Sequence, residues 1–122
     1  MRRVLAGLAA CLALAGCAGL AESVSYELVE FSITGPDQLG PGSTSLTVSN
    51  AGEFPHTMVV TDSSGEVVAA TSLVQPEQSV ELAVDLRPGR YSFTCRIVAQ
   101  DSEGQLIDHF ESGMAATVEV SG

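Results

Sequence analysis

Four side chains in this sequence have the chemical types of a transition-metal site: His56, Cys95, His109 and Met114. Imidazole, thiolate and thioether groups are ligands that late first-row transition metals bind in proteins. The sequence contains only two histidines, and both belong to this group. Each residue also has an ordinary interpretation, since a lone cysteine or methionine often fills a core and a histidine often lies in a loop. A metal site therefore requires a fold that brings the four together.

The strand that carries Cys95 predicts where its side chain points. Residues 90–97 alternate between large apolar and polar side chains, as a half-buried strand does. The apolar face holds Tyr91, Phe93 and Cys95. Because that face must be buried, we expect the thiol at the core side of the strand end.

The segment after Cys95 predicts a β-hairpin. Asp101-Ser102-Glu103-Gly104 is a turn-forming stretch, and residues 96–100 and 105–109 flank it with strand-like composition. With a four-residue turn, residue 96 faces residue 109. The hairpin would then return His109 to within one residue of Cys95, although thirteen residues separate them in the sequence.

Met114 follows His109 by five positions, across a short loop that contains Gly113. Glycine permits backbone conformations that other residues avoid, so the loop can bend tightly there. The spacing therefore allows Met114 to return to the same point as His109.

The rest of the sequence predicts an all-β domain. Gly/Pro-rich turns separate short alternating segments, which is typical of a β-sandwich. The strand-like segments are 25–33, 44–49, 56–61, 78–86, 90–97 and 116–120, with 67–70 fitting either a strand or a short helical turn. We therefore expect a sandwich of about seven strands whose core is filled mainly by Val, Leu and Ala.

Three parts of the sequence resemble the cupredoxin, or blue copper, family. They are P-G-S-T-S-L-T-V-S-N-A-G-E-F-P-H, ending at His56; L-R-P-G-R-Y-S-F-T-C, ending at Cys95; and H-x-x-x-x-M, from His109 to Met114. The order and spacing of the three parts, which reach from about residue 31 to 120, are more specific than any one of them.

The resemblance implies a Greek-key β-sandwich that binds one copper ion, cycling between Cu(I) and Cu(II). His56, Cys95 and His109 would be the equatorial ligands and Met114 the weak axial ligand. It also implies that Thr57 offers its backbone N–H to the cysteine sulfur. This chain differs from much of the family in the length of the Cys95–His109 connection, which is usually only a few residues.

The first residues predict export and lipidation. Arg2 and Arg3 precede an apolar stretch that is too short to span a bilayer, and Leu14-Ala15-Gly16-Cys17 follows it. This tetrapeptide resembles the lipobox of bacterial lipoproteins, in which the cysteine is acylated and becomes the first mature residue. We therefore expect a signal peptide at 1–16, a lipidated tether at 17–24 and the folded domain at 25–122. The domain would be held at the periplasmic or extracellular face of a membrane.

The charge of the chain argues against a nucleic-acid partner, and its cysteine count leaves Cys95 unpaired. Residues 17–122 contain three arginines, no lysine and fifteen acidic residues, a formal net charge of −12 with neutral histidines. Such a chain does not suit nucleic-acid binding, which needs cations against phosphates. With Cys11 removed and Cys17 lipidated, Cys95 has no disulfide partner, so burial or metal binding must protect its thiol.

These features favour a monomeric electron-transfer protein whose acidic surface attracts a basic redox partner, such as a c-type cytochrome or an oxidase. A copper carrier or sequestration protein, and a metal-free binding module, are the alternatives. Catalysis is not expected. A multicopper oxidase needs histidines beside the cysteine, where this chain has Thr94 and Arg96, and no nucleophile–base set remains once both histidines are assigned.

Overall fold

The computed structural model of the protein describes residues 22–122, which form eleven strands. The strands are β1 (Glu22–Val29), β2 (Ser32–Thr34), β3 (Gln38–Leu39), β4 (Gly42–Asn50), β5 (Val59–Thr61), β6 (Val67–Ala70), β7 (Ser79–Leu86), β8 (Gly89–Thr94), β9 (Val98–Gln100), β10 (Leu106–Asp108) and β11 (Ala115–Val120). Within residues 22–122, no helical segment has the length and hydropathy that a bilayer crossing requires. The expected signal peptide and the lipidation candidate Cys17 lie outside the described residues.

Two mixed sheets form the sandwich, as predicted. One sheet has the strand order β2-β1-β4-β7, and the other has the order β3-β11-β8-β5-β6. Each sheet contains one parallel pair, β1 with β4 and β3 with β11, and the remaining pairs are antiparallel. The strands β9 and β10 form a separate two-stranded sheet.

The core lies between the two larger sheets and follows the alternation of the sequence. Along β4, Leu46 and Val48 are fully buried while Ser45 and Thr47 are less so. From the opposite sheet Phe93 meets Tyr26 edge-on, with ring centroids 5.0 Å apart. Burial of one face of each strand supplies the main driving force for the sandwich.

The first predicted strand is wrong in one respect, because residues 25–33 form two strands. β1 already begins at Glu22, inside the segment expected to be a tether, and a two-residue turn at Glu30 and Phe31 joins it to the antiparallel β2. Just beyond the end of β1, the Glu30 carboxylate accepts hydrogen bonds from the backbone of the β4–β5 connection. The turn therefore joins the edge of one sheet to the loop that carries His56.

The number of strands also exceeds the prediction of about seven. β9 and β10 are the strands of the hairpin predicted separately after Cys95, and β2 is the end of the predicted segment 25–33. Among the described strands only β3 went unpredicted, because two residues are too few for alternation to appear in the sequence. The undecided segment 67–70 is a strand, β6, and it pairs with β5 across the loop at residues 62–66.

Candidate metal centre

His56 lies in the connection between β4 and β5 and not, as predicted, at the start of a strand. Its backbone N–H donates to the Val74 carbonyl at 3.0 Å, and the Val74 N–H donates back at 2.8 Å, forming an isolated bridge. The buried Asn50 side chain donates to the carbonyls of Phe54 and Val74 at 2.8 and 2.9 Å. These bonds hold the backbone of His56 in place without a metal.

Cys95 follows directly after β8, which ends at Thr94 and not at residue 97 as predicted. The predicted facing is confirmed, because Tyr91, Phe93 and Cys95 are all buried. The Cys95 N–H donates to the Met114 carbonyl at 3.2 Å. The thiol is thus held at the end of a core strand and out of solvent.

The hairpin after Cys95 is present, but its predicted register is wrong by one residue. Asp108 pairs with Val98, and the His109 N–H donates to the Ile97 carbonyl at 2.9 Å, so residue 109 faces residue 97 and not 96. The hairpin still returns His109 to Cys95.

The turn of this hairpin explains the shift. The Asp101 N–H donates to the Gln105 carbonyl at 2.9 Å, which leaves a loop of three residues instead of four. Gly104 has a φ of +84° and donates its N–H to the Asp101 carbonyl at 3.1 Å. A tight turn followed by a left-handed glycine is a common three-residue hairpin connection.

Met114 is fully buried beside these residues. Its N–H donates to the His109 carbonyl at 3.0 Å and its carbonyl accepts from Cys95, so its backbone joins the two segments. The predicted tight bend occurs at Gly113, where φ is +117°. The role of the Met114 sulfur as an axial ligand stays a prediction.

Three of the predicted ligands meet in the interior. The Nδ1 atoms of His56 and His109 are 3.1 Å apart, and Cys95 Sγ lies 3.8 Å from the first and 3.6 Å from the second. A triangle with these sides has a point about 2.0 Å from all three atoms, within the range of roughly 2.0–2.3 Å for bonds from nitrogen and sulfur to a metal such as zinc. All three residues are buried.

This donor set fits one copper ion. Two imidazoles and a thiolate in a trigonal arrangement, with a thioether side chain adjoining, form the ligand set of copper sites that transfer electrons. His56, Cys95 and His109 would hold the ion, and both imidazoles face the common point with the same ring nitrogen.

The Glu30 carboxylate contacts the His56 ring. The Nε2 of His56 lies 2.8 Å from Glu30 Oε1, and a carboxylate can only accept there. The proton therefore sits on Nε2, which leaves the Nδ1 lone pair for a metal. Burial acts to raise the pKa of Glu30, but hydrogen bonds from the Phe54 and Glu53 amides and from His56 outweigh it and lower the pKa to about 2.

His109 is set in an apolar environment. Its ring meets Phe31 edge-on with centroids 5.2 Å apart, and it borders a cavity of about 30 Å³ whose other lining residues are Phe31, Phe54, Ala99, Gln100, Asp101 and Ile107. Burial and the proximity of His56 lower the pKa of His109. A lower pKa favours the neutral imidazole, which is the form that binds metals.

Thr57 lies next to the cysteine. Its hydroxyl Oγ1 is 4.0 Å from Cys95 Sγ, and the hydrogen bond from its backbone N–H to the sulfur stays a prediction. A hydroxyl at that distance is a weak donor to sulfur.

The sequence interpretation missed Glu30. The only sign of it was the imperfect alternation of residues 25–33, where Glu30 stands between Val29 and Phe31. Its partner is an imidazole 26 residues away, so no local pattern joins them.

Solved structures resemble this fold, although the sequence matches no protein-family model and no curated protein. Auracyanin from Roseiflexus castenholzii superposes with a TM-score of 0.65 at 17% identity, over 85% of this chain and 100% of that one. Auracyanin A, a "blue" copper protein from Chloroflexus aurantiacus, gives 0.60 at 13%, over 81% and 99%. A purple cupredoxin from Nitrosopumilus maritimus gives 0.51 at 17%, over 80% and 98%.

The chain has the cupredoxin fold. The likeness covers 98–100% of each of these proteins and 80–85% of this chain, so it extends over the fold as a whole. At these identities the superposition establishes the cupredoxin fold, and the metal site rests on the distances measured in this chain.

Proposed function

We propose that this chain is an electron-transfer protein with one copper ion of the blue type. The observation that carries the proposal is the buried triangle of His56 Nδ1, Cys95 Sγ and His109 Nδ1, whose sides are 3.1, 3.6 and 3.8 Å. Similar folds include proteins described as a blue copper protein and as a purple cupredoxin, which supports the choice of metal.

The donor set favours copper over zinc. Structural zinc is bound by four ligands in a tetrahedron, whereas this chain offers three strong donors and one thioether. Thiolate and thioether suit Cu(I) and imidazole suits Cu(II), so a rigid mixed set can hold both oxidation states. Copper bound there would accept and release one electron.

Rigidity of the residues would keep that exchange fast. Backbone hydrogen bonds join Cys95 to Met114 and Met114 to His109, and they hold His56 to Val74 in the β6–β7 connection. Because the ligand positions are set by the fold, little needs to move when the charge of the ion changes.

The apolar residues around His109 support electron transfer to a partner through this ligand. Phe31 and Ile107 border its ring, and Phe54, which also lines that cavity, is half exposed. An apolar surface beside a buried redox centre fits a partner that docks briefly and leaves.

The charge of the domain supports the proposed partner, and the N-terminal sequence supports the proposed location. An acidic domain would attract a redox protein with a basic surface, such as a c-type cytochrome or an oxidase. A lipid on Cys17 would confine the domain to the outer face of a membrane, where such proteins lie. Because the donor atoms are buried inside the domain, the site favours retention of copper over delivery. A carrier must release its ion to a recipient.

The test is a visible spectrum of the purified protein with one equivalent of Cu(II), compared with Cys95→Ser. We expect an intense blue band that the variant lacks, because the colour arises from the copper–sulfur bond. Circular dichroism of both apo proteins checks that the variant folds. A colourless wild-type mixture with tight copper binding would favour a carrier, and no binding would favour a metal-free module.

A further inference from the structure

The Glu30 carboxylate accepts hydrogen bonds from the His56 ring and from two backbone amides, and the proposed function does not use it. We propose that Glu30 positions His56 for metal binding and biases the site toward Cu(II) over Cu(I). The second half of this inference rests on the proposed function, whereas the first half concerns any metal that the three donors bind.

The carboxylate sits in a set of three converging donors. Oε1 accepts from His56 Nε2 at 2.8 Å, from the Phe54 N–H at 2.9 Å and from the Glu53 N–H at 3.0 Å, and Oε2 accepts from the Glu53 N–H at 3.1 Å. The backbone donors hold the carboxylate independently of the imidazole. Glu30 is therefore a fixed acceptor that orients the ring, and the ring does not have to order a mobile side chain.

The absence of a side chain at Gly52 makes room for the Glu30 carboxylate. A Cβ at Gly52 would overlap Oε1 and would lie 2.7 Å from Oε2 and 2.8 Å from Cδ of Glu30. The backbone at Gly52 does not have the positive φ that would itself require glycine. The Glu30 carboxylate therefore explains why residue 52 is a glycine, since it occupies the space that a side chain there would need.

The charge of Glu30 gives the bias between oxidation states. Cu(II) with one thiolate carries a net charge of +1, and Cu(I) with one thiolate is neutral. A carboxylate hydrogen-bonded to a ligand neutralises the first and leaves the second negative, so it favours Cu(II). The Glu30 side chain is 20% exposed, and solvent will reduce the effect without removing it.

Two substitutions of Glu30 separate its geometry from its charge. Glu30→Gln keeps an oxygen that accepts from Nε2 but removes the charge. Glu30→Ala removes both. Glu27→Gln is the matched control, because Glu27 is an exposed β1 residue three positions away and the change removes the same charge.

The expected results differ between the variants. Glu30→Ala should weaken Zn(II) binding by about 10- to 100-fold, the usual cost of losing such a partner of a metal-bound histidine. It should also lose the Nε2–H form of His56 in ¹⁵N NMR spectra of the apo protein. Glu30→Gln should keep that form and the blue band. We expect its Cu(II) affinity to fall about tenfold relative to its Cu(I) affinity, a rise in potential of ~59 mV.

Gly52→Ala tests the same contact from the other side. It should displace the carboxylate and weaken Zn(II) binding as Glu30→Ala does. In the double variant the added methyl meets no carboxylate, so Gly52→Ala should cost nothing further. Additive losses in the double variant would overturn the assignment of Gly52 to Glu30.

Other outcomes would overturn the proposal itself. Zn(II) affinity of Glu30→Ala within twofold of the wild type would reject the positioning role. A potential for Glu30→Gln equal to that of Glu27→Gln would reject the bias. A wild-type protein that binds Zn(II) here but gives no blue copper complex would reject the proposed function, while the Zn(II) and NMR results would still decide the positioning role.

Discussion

Two hairpins of this molecule use the same turn in different settings. The β5–β6 loop reads Asp62-Ser-Ser-Gly-Glu66, and the β9–β10 loop reads Asp101-Ser-Glu-Gly-Gln105. In each, the aspartate Oδ1 accepts from the second and fourth following amides, at 2.9 and 3.0 Å in the first and at 2.8 and 2.9 Å in the second. The glycines have φ values of +91° and +84°.

The difference lies in what each hairpin is attached to. β5 pairs with β8 inside the five-stranded sheet, whereas β9 and β10 pair only with each other among the described residues. The second hairpin ends at His109, one of the proposed copper ligands. We therefore expect the turn to contribute to global stability in the β5–β6 hairpin and to the position of the His109 side chain in the β9–β10 hairpin.

Removing apolar contacts from each hairpin should have the largest effect. Val60→Ala in β5 deletes part of a fully buried side chain and should cost about 2 kcal/mol of the free energy of unfolding. Ile107→Ala in β10 affects a half-buried side chain near His109, and should cost less than about 1 kcal/mol globally but weaken metal binding. Urea unfolding of both apo proteins measures the first quantity and Zn(II) titration the second. Equal losses of global stability would show that the second hairpin is as integrated as the first.

The two loop glycines should give a smaller effect that separates by location. Gly65→Ala and Gly104→Ala each place a side chain in the left-handed region, at about 1–2 kcal/mol. For Gly65→Ala, in the β5–β6 loop, the lost stability should appear in the free energy of global unfolding. For Gly104→Ala, in the β9–β10 loop, the lost stability should appear as local opening of the hairpin. We expect about tenfold faster hydrogen exchange of the His109 amide and no change at the His56 amide. Slower or unchanged exchange at His109 would contradict the local character of this hairpin.

Much of the sandwich could be predicted because its strands are long enough to alternate. The buried face of β4 and the core facing of Tyr91, Phe93 and Cys95 follow directly from that pattern. The meeting of Cys95 and His109 could also be predicted, since a turn motif stands midway between them.

The errors arose where the pattern is short or the contact is remote. The register of β9–β10 shifted by one because the aspartate at 101 is itself paired with residue 105 and does not belong to the loop. The role of Glu30 stayed hidden because its hydrogen-bond partners lie in the His56 loop, 23 to 26 residues away. Pairwise contacts of that kind leave no periodic trace in one sequence.

The smallest expected effect concerns a side-chain hydrogen bond that the first loop has and the second lacks. Ser64 Oγ donates to Asp62 Oδ1 at 2.7 Å, and the equivalent position of the second loop is Glu103, which has no hydroxyl. This hydroxyl is the main cause that lowers the pKa of Asp62 below its ordinary value of 3.8, with the Glu66 amide next. Because the folded pKa is depressed, the ionised side chain stabilises the loop fully above about pH 4 and progressively less as the pH falls through the folded pKa.

Ser64→Ala should therefore raise the pKa of Asp62 toward 3.8, while the backbone bonds keep part of the shift. A carboxyl ¹³C titration of Asp62 in the apo protein measures the midpoint, and the amide shifts of Ser64 and Glu66 report the loop itself. Ser102→Ala is the matched control, since Ser102 occupies the position after the aspartate in the second loop and should leave the Asp62 midpoint unchanged. An Asp62 midpoint that does not move in Ser64→Ala would mean that the amides alone lower its pKa, and the two loops would then hold their aspartates in the same way.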